Sequence, residues 1–591
     1  MRRNIFRPLL PLALLALSAA AFLFPLAHTQ ATPETAVVII QLADPPLALH
    51  MGNDLSSPAS RHYQAALAAR QEQFRQRLSA AANRPITFLS QYQLAFNGVA
   101  VPLSEAELAL VQTWDEVVLA RPQTYYQPLI HGGPRWIGAD GVWNGTTTGG
   151  LPGTSGEGVI VGVLDTGIYP EHIAFADVGE DGYNHTNPWG AGIYRGVCDP
   201  ANPDYDPTFP CNDKLIGAWN FADGPRDNDG HGTHVASIAV GNFFSVTILA
   251  PTLNIPTTFS GVAPHANLVF YDVCAGSDSS CAESGILAAL DQVILDGVDV
   301  INFSIGGTAS DPWRNPVAQA MLAVREAGVF VAAAAGNDGP TSATINAPAD
   351  APWLTTVGNS NHGRPYASAV VNLSGGVTPP PPDLIGVSMS AGHGPARLVW
   401  AGNYGNANCT AAFPAGTWTQ GEIVLCEGGN LNSNTNRAKG NNVLAGGAGG
   451  VVIMSASSVP NWRLWNTHNL PAAHLSYGDG LLLKTWLTAG GIHTATITGS
   501  YFPTFPNSLG DVVYSNSSRG PNPTAPDLLK PDLIAPGYLI QGAWHLPVTW
   551  ADRAINQYIG TSQASPHVAG AAALLHALHP TWTPGQLQSA L

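Results

Sequence analysis

The sequence predicts an α/β protein: a doubly wound, mostly parallel sheet, preceded by a small α+β unit and interrupted by a β-rich insertion. Three observations predict this. From Gly156 onward, runs that are apolar at every position alternate with helix-like stretches, which suits parallel strands buried on both faces. Ahead of that region, a β-α-β-β-α-β order matches the split βαβ, or ferredoxin-like, pattern. The proline run Pro379–Pro382 then breaks the α/β texture, which resumes at Val512. A chain of 591 residues is long enough for several cores.

The elements follow in order. Arg2, Arg3 and Arg7 precede an apolar run from Leu9 to Leu26 and the small residues around Ala31, so residues 1–31 read as a removable secretion signal. The run is barely long enough to span a bilayer, and no later segment has that length, so a secreted, membrane-free protein is expected. Strand Ala36–Leu42, helix Ser60–Ala82, strands Ile86–Tyr92 and Leu94–Val101, helix Ser104–Thr113 and strand Glu116–Ala120 make up a compact unit over residues 36–121. Its second helix opens with the capping box Ser104-x-x-Glu107. A linker over residues 122–134 leads to the first part of the α/β domain, 135–374. Its strands are Val159–Leu164, Asn267–Val273, Val298–Ser304, Val329–Ala334 and Trp353–Val357, with helices Glu283–Leu295 and Pro316–Ala327 between them. The insertion, 375–504, carries strands Leu398–Trp400, Glu422–Cys426, Val451–Ser455 and Thr494–Thr498. The α/β domain resumes over 505–591 and reaches a final helix opened by Thr583-Pro584. The chain stops inside that helix, so a longer protein is expected beyond Leu591.

Composition narrows the function classes. Hydrophobic residues make up 45% against 11% charged, with 63 Gly and 48 Pro, as in a loop-rich globular protein. A net charge of -16 argues against binding nucleic acid phosphates or an anionic membrane surface. The 6 cysteines fall into the close pairs Cys198 and Cys211, Cys274 and Cys281, and Cys409 and Cys426. Export favours disulfides, and local bridges are the simplest of the pairings open to them; free buried thiols are the competing reading. No cysteine or histidine spacing marks a zinc site.

Four segments carry the chemistry. Asp165 ends the apolar run VIVGVLD, so its carboxylate emerges at the carboxyl edge of the sheet, where ligands of such folds bind. Taken alone it is as well read as a turn aspartate. His231, in DGHGTHVAS, precedes a helix of small residues and is placed to act as a general base. His231 and His234 also raise a metal pair, but Gly232 and Thr233 stand where a zinc-hydrolase helix needs a glutamate. Asn337, in AAAAGNDG, offers an amide NH₂ to a developing oxyanion, although Gly-Asn-Asp-Gly in isolation is a turn. Ser562, in GTSQASPHVAG, stands at a glycine-permitted turn into an Ala-rich helix and becomes a nucleophile only with a base and oxyanion donors nearby.

In this order the four blocks resemble the subtilisin-like serine proteases, or subtilases. The resemblance implies a subtilisin-like fold with Asp165 as orienting carboxylate, His231 as base and Ser562 as nucleophile. Asn337 and the Ser562 backbone N–H would form the oxyanion hole. It extends to VINFSIGG, where Ser304, Ile305 and Gly306 match positions that bind substrate by strand addition. The segments at Ser517–Gly537 and Cys198–Phe221 are similar to the cucumisin-type subset. That similarity implies an inhibitory propeptide over Ala36–Arg121, maturation within Tyr125–Pro134, and a protease-associated insertion bridged by Cys409 and Cys426.

Protein or peptide substrates, the chain's own propeptide as intramolecular inhibitor, a monomer and no required cofactor are therefore expected. Calcium, common among relatives, has no motif here. Rival readings are a protease-fold binding protein without activity and an esterase with the same triad. Gln563 departs from the family pattern, which has methionine after the nucleophile.

Overall fold

The computed structural model describes residues 35–51, 57–93, 97–122, 133–275, 280–362, 367–430, 432–458, 467–500 and 510–591. The expected signal lies outside them, as do residues 123–132 of the expected maturation linker. The chain divides into two compact units, Met1–Gln127 and Pro128–Leu591.

The first unit is a four-stranded antiparallel sheet in the spatial order Ser90–Tyr92, Gly98–Leu103, Ala36–Leu42, Val117–Pro122. Strand alternation puts Val38, Ile40 and Leu42 on one face. There they pack with Phe74 and Leu78 of helix Pro58–Ala82 and with Val111, which ends helix Glu105–Val111. The capping box closes in both directions: Ser104 N–H donates to Glu107 Oε2 at 2.8 Å, and Glu107 N–H donates to Ser104 Oγ at 3.4 Å. The expected strand Ile86–Tyr92 is shorter, because Ile86 finds its backbone partners off the sheet. Its N–H donates to Ser79 Oγ at 3.1 Å and its carbonyl accepts from Arg75 at 3.1 Å. The next strand runs Gly98–Leu103 rather than Leu94–Val101, and residues 94–96 lie outside those described.

The second unit is built on eight parallel strands. These are β1 (Ile160–Asp165), β2 (Arg195–Gly196), β3 (Leu215–Asn220), β4 (Asn267–Asp272), β5 (Val300–Phe303), β6 (Phe330–Ala334), β7 (Thr355–Ser360) and β8 (Leu533–Pro536). Their spatial order is β8-β7-β6-β5-β1-β4-β3-β2. Helices α1 (His231–Val240) and α4 (Thr561–Leu578) cover one face, and α2 (Glu283–Asp296) and α3 (Pro316–Glu326) the other. Along β1, Val161 and Val163 enter the core with α1 and α4, while Ile160 and Leu164 enter the core with α2 and α3. A strand serving two cores has no polar face, which is why these runs are apolar throughout.

Most strand ends differ from expectation by one to three residues, and two of these bear on packing and on the site. β7 begins at Thr355, not Trp353, whose indole donates to the Ala318 carbonyl of α3 at 2.8 Å. β5 ends at Phe303, which releases Ser304 from the sheet.

The insertion is a closed seven-stranded barrel running from Ala367 to Ile497, with helices Ser433–Ala445 and Tyr477–Thr488 between its strands. It begins earlier than the expected boundary at 375: Ala367–Gly375 is its first strand and pairs with both Leu384–Val387 and His493–Ile497. Three local disulfides join Cys198 to Cys211, Cys274 to Cys281 and Cys409 to Cys426.

Candidate active site

Asp165 closes β1 at the carboxyl edge of the sheet and is fully buried. Its Oδ1 accepts from the Thr166 N–H at 2.9 Å and lies 2.7 Å from His231 Nδ1, so the two predicted residues form a hydrogen-bonded pair. His231 opens α1, and the close approach of that helix to β1 depends on Gly232. A Cβ there would fall 2.2 Å from the Gly167 carbonyl oxygen.

The corner is tied together by a residue that motif reading passes over, Asp227. Its Oδ1 accepts from Thr166 Oγ1 at 3.1 Å, Asp229 N–H at 3.1 Å and Gly230 N–H at 2.6 Å, and its Oδ2 accepts from Thr233 N–H at 2.9 Å and from the Thr233 hydroxyl. These include donors of the first turn of α1 that the helix itself cannot satisfy. The signal for it was an aspartate just ahead of a helix start.

Burial pulls the His231 pKa down. The Asp165 carboxylate and its hydrogen bond, with Asp229 and Asp227 behind them, outweigh burial and leave the imidazole above its ordinary value. His234 and His567 behave differently, since burial drives them to about 3 and about 4. Each ring is engaged by a backbone carbonyl, that of Asn556 at 3.2 Å and that of Gln563 at 2.8 Å.

One strand over, Phe303 of β5 is the register partner of Leu164, so Ser304 comes level with Asp165. Ser304 Oγ donates to the Ser562 carbonyl at 2.9 Å, and Ser562 Oγ donates to the Ser304 carbonyl at 3.2 Å. The reciprocal pair fixes the first turn of α4 to Ser304, just past the strand next to the one that ends in Asp165. The Ser562 hydroxyl is turned to Ser304, and no hydrogen bond within 3.5 Å joins it to His231.

Asn337 follows β6. Its Oδ1 accepts from the Thr561 N–H at 2.9 Å and from the Thr561 hydroxyl at 3.2 Å. An N–H only donates, so the amide oxygen must face Thr561, and Nδ2 is left for the cleft. The Ser562 N–H, a first-turn donor of α4, has no intramolecular partner among the described residues.

Ser304, Ile305 and Gly306 line a cleft of about 610 Å³ together with Asn337, Thr561 and Ser562. Beyond them Gly307 pairs with Ala347 in both directions, at 2.9 and 3.1 Å. The backbone groups of Ile305 and Gly306 make no hydrogen bond among the described residues and face the cleft as an open edge. Gln563, 2% exposed beside the candidate nucleophile, has no partner for Nε2 among the described residues. Among the described residues, no group of three or more His, Cys, Asp or Glu is placed to hold a metal ion, and no helix is long and apolar enough to cross a membrane.

The family model described as the subtilase family matches residues 156–591. The chain belongs to the subtilase family. This subtilase is similar to two subtilisin-like proteases of Arabidopsis thaliana, SBT1.4 and SBT1.7. It is 33% identical to the first over 86% of its own length and 66% of that protein's. It is 34% identical to the second over 85% of its own length and 67% of that protein's. The subtilase chain therefore spans about two thirds of the length of these relatives. Among solved structures, Sphericase matches at 18% identity with a TM-score of 0.35, over 77% of this chain and 87% of that one.

Proposed function

We propose that this subtilase is a secreted serine endopeptidase, working without a required cofactor through an acyl-enzyme on Ser562. The observation that carries the reading is the meeting of four groups at one sheet edge. His231 is bonded to Asp165, Ser562 is held one strand away, and two donors without partners among the described residues, Asn337 Nδ2 and the Ser562 N–H, border the cleft.

Rotation about its Cα–Cβ bond turns the Ser562 hydroxyl from the Ser304 carbonyl toward His231. Oγ then attacks the peptide carbonyl carbon while its proton passes to His231 Nε2, and Asp165, on Nδ1–H, stabilises the imidazolium. The two donors meet the oxyanion. His231 returns the proton to the leaving amine, then deprotonates the water that releases the acyl group. Ile305 and Gly306 pair with the substrate backbone as an added strand, which favours peptides over simple esters. Residues 36–121 act as an intramolecular inhibitor until a cut within Tyr125–Pro134 frees a mature monomer.

A serine-directed phosphonate should label Ser562 stoichiometrically, and Ser562→Ala should lose both labelling and casein hydrolysis. An unlabelled Ser562, or equal hydrolysis by the variant, overturns the reading.

A further inference from the structure

The floor of the cleft has a defined chemistry. Gly306 and Gly336 belong to two of its walls, and the Asn346 side chain lies against both. A Cβ on Gly336 would fall 1.9 Å from Asn346 Oδ1, and one on Gly306 would fall 3.1 Å from Asn346 Cβ and 3.4 Å from its Oδ1. Gly336 has a φ of 105°, so backbone and neighbour both demand glycine there. Asn346 is oriented from behind, because its Nδ2 donates to Asp338 Oδ2 at 2.8 Å. A carboxylate only accepts, so the amide nitrogen must face Asp338 and the oxygen must face the glycine walls. That oxygen accepts no hydrogen bond among the described residues.

Asp338 lines the same cleft and, among the described residues, is the one ionisable side chain of its lining. Three of the lining hydroxyls are already spent as donors: Ser304 on the Ser562 carbonyl, Thr561 on Asn337 Oδ1 and Thr344 on the Thr341 carbonyl. The cleft thus offers a side chain an open amide oxygen and a negative charge, with no cation to receive a carboxylate.

We propose that Asn346, braced by Asp338, selects lysine or arginine as the residue on the acyl side of the scissile bond, making basic peptides the substrate class. The proposal rests on the reading of this cleft as a proteolytic site. An ammonium or guanidinium group donates to Asn346 Oδ1 and is attracted by Asp338. An apolar side chain would cover that oxygen without pairing it, and an acidic one would meet both acceptors with no donor.

The test is kcat/KM for the mature enzyme on fluorogenic peptides that differ only at this position, carrying Lys, Arg, Leu, Phe or Glu. Lys and Arg should exceed Leu by about tenfold and Glu by more, the worth of one hydrogen bond plus a charge. Asp338→Asn keeps an acceptor for Asn346 but removes the charge, and should narrow the Lys-over-Glu ratio about three- to tenfold. Asn346→Asp should widen it. Faster cleavage after Leu, Phe or Glu than after Lys and Arg, or ratios that neither variant moves, would overturn the pocket assignment and leave proteolysis standing. No cleavage of any peptide, with Ser562 unlabelled by phosphonate, would overturn both.

Discussion

Asn337 presents only one end of its amide to the cleft, because Thr561 holds the other. Asn337→Ala should therefore lower kcat by about 100- to 1000-fold with little change in KM, the usual cost of losing one oxyanion donor. The surroundings of His231 set the pH dependence. Its carboxylate neighbours hold its pKa above the ordinary value of about 6.5, and as the proposed base it works only when neutral. The acid limb of kcat/KM should thus fall at a midpoint above that value. Asp229→Asn, which removes one negative neighbour, should move the limb to lower pH. Gln563 leaves an amide donor buried beside Ser562 with no partner among the described residues. Gln563→Met should raise stability by about 1 kcal/mol, seen as a higher Tm, and should introduce peroxide sensitivity. Equal peroxide loss in the two forms would refute that account of the glutamine.

At the scale of elements, one buried carboxylate, Asp227, gathers the polar ties at the start of α1, which also packs on the sheet through Val235, Ala236 and Ala239. Asp227→Ala frees the Gly230 and Thr233 N–H groups and the Thr166 and Thr233 hydroxyls together. A loss of about 1.5 to 3 kcal/mol in urea unfolding is expected, with a fall in kcat as His231 loses its seat. The parallel strands were legible because burial on both faces leaves continuous apolar runs, as in β1. Their ends were less so, since an end can depend on a distant partner: Ser304, just past β5, is held by Ser562 of α4. The start of the barrel depends on a distant partner in the same way, because Ala367–Gly375 is identified by its pairing with His493–Ile497.

Across the large unit, burial depresses several histidines: His172 and His567 to about 4, His185, His234 and His474 to about 3. Neutral in the fold and protonated when unfolded, they contribute stability that is present above about pH 6.5 and is lost as pH falls toward 4. Burial raises Asp272 to about 7 and Asp350 to about 6, which acts in the opposite sense, but the histidines outnumber them. The Tm of this unit should therefore drop steadily between about pH 6.5 and 4; a flat profile over that range would contradict the buried neutral set. The sequence alone carried the α/β class, the close spacing of the cysteines that bond and the glycine-rich segments around Asp165, His231, Asn337 and Ser562. Each of these is written in local spacing, since apolar runs, turn glycines and short loops act over a few residues. Only the tertiary structure decided that Asp227 ties α1 to β1, that Ser304 and Ser562 brace each other, and that Asn346 faces the walls of the cleft. These roles arise where segments far apart in the chain meet, and no local pattern encodes such a meeting.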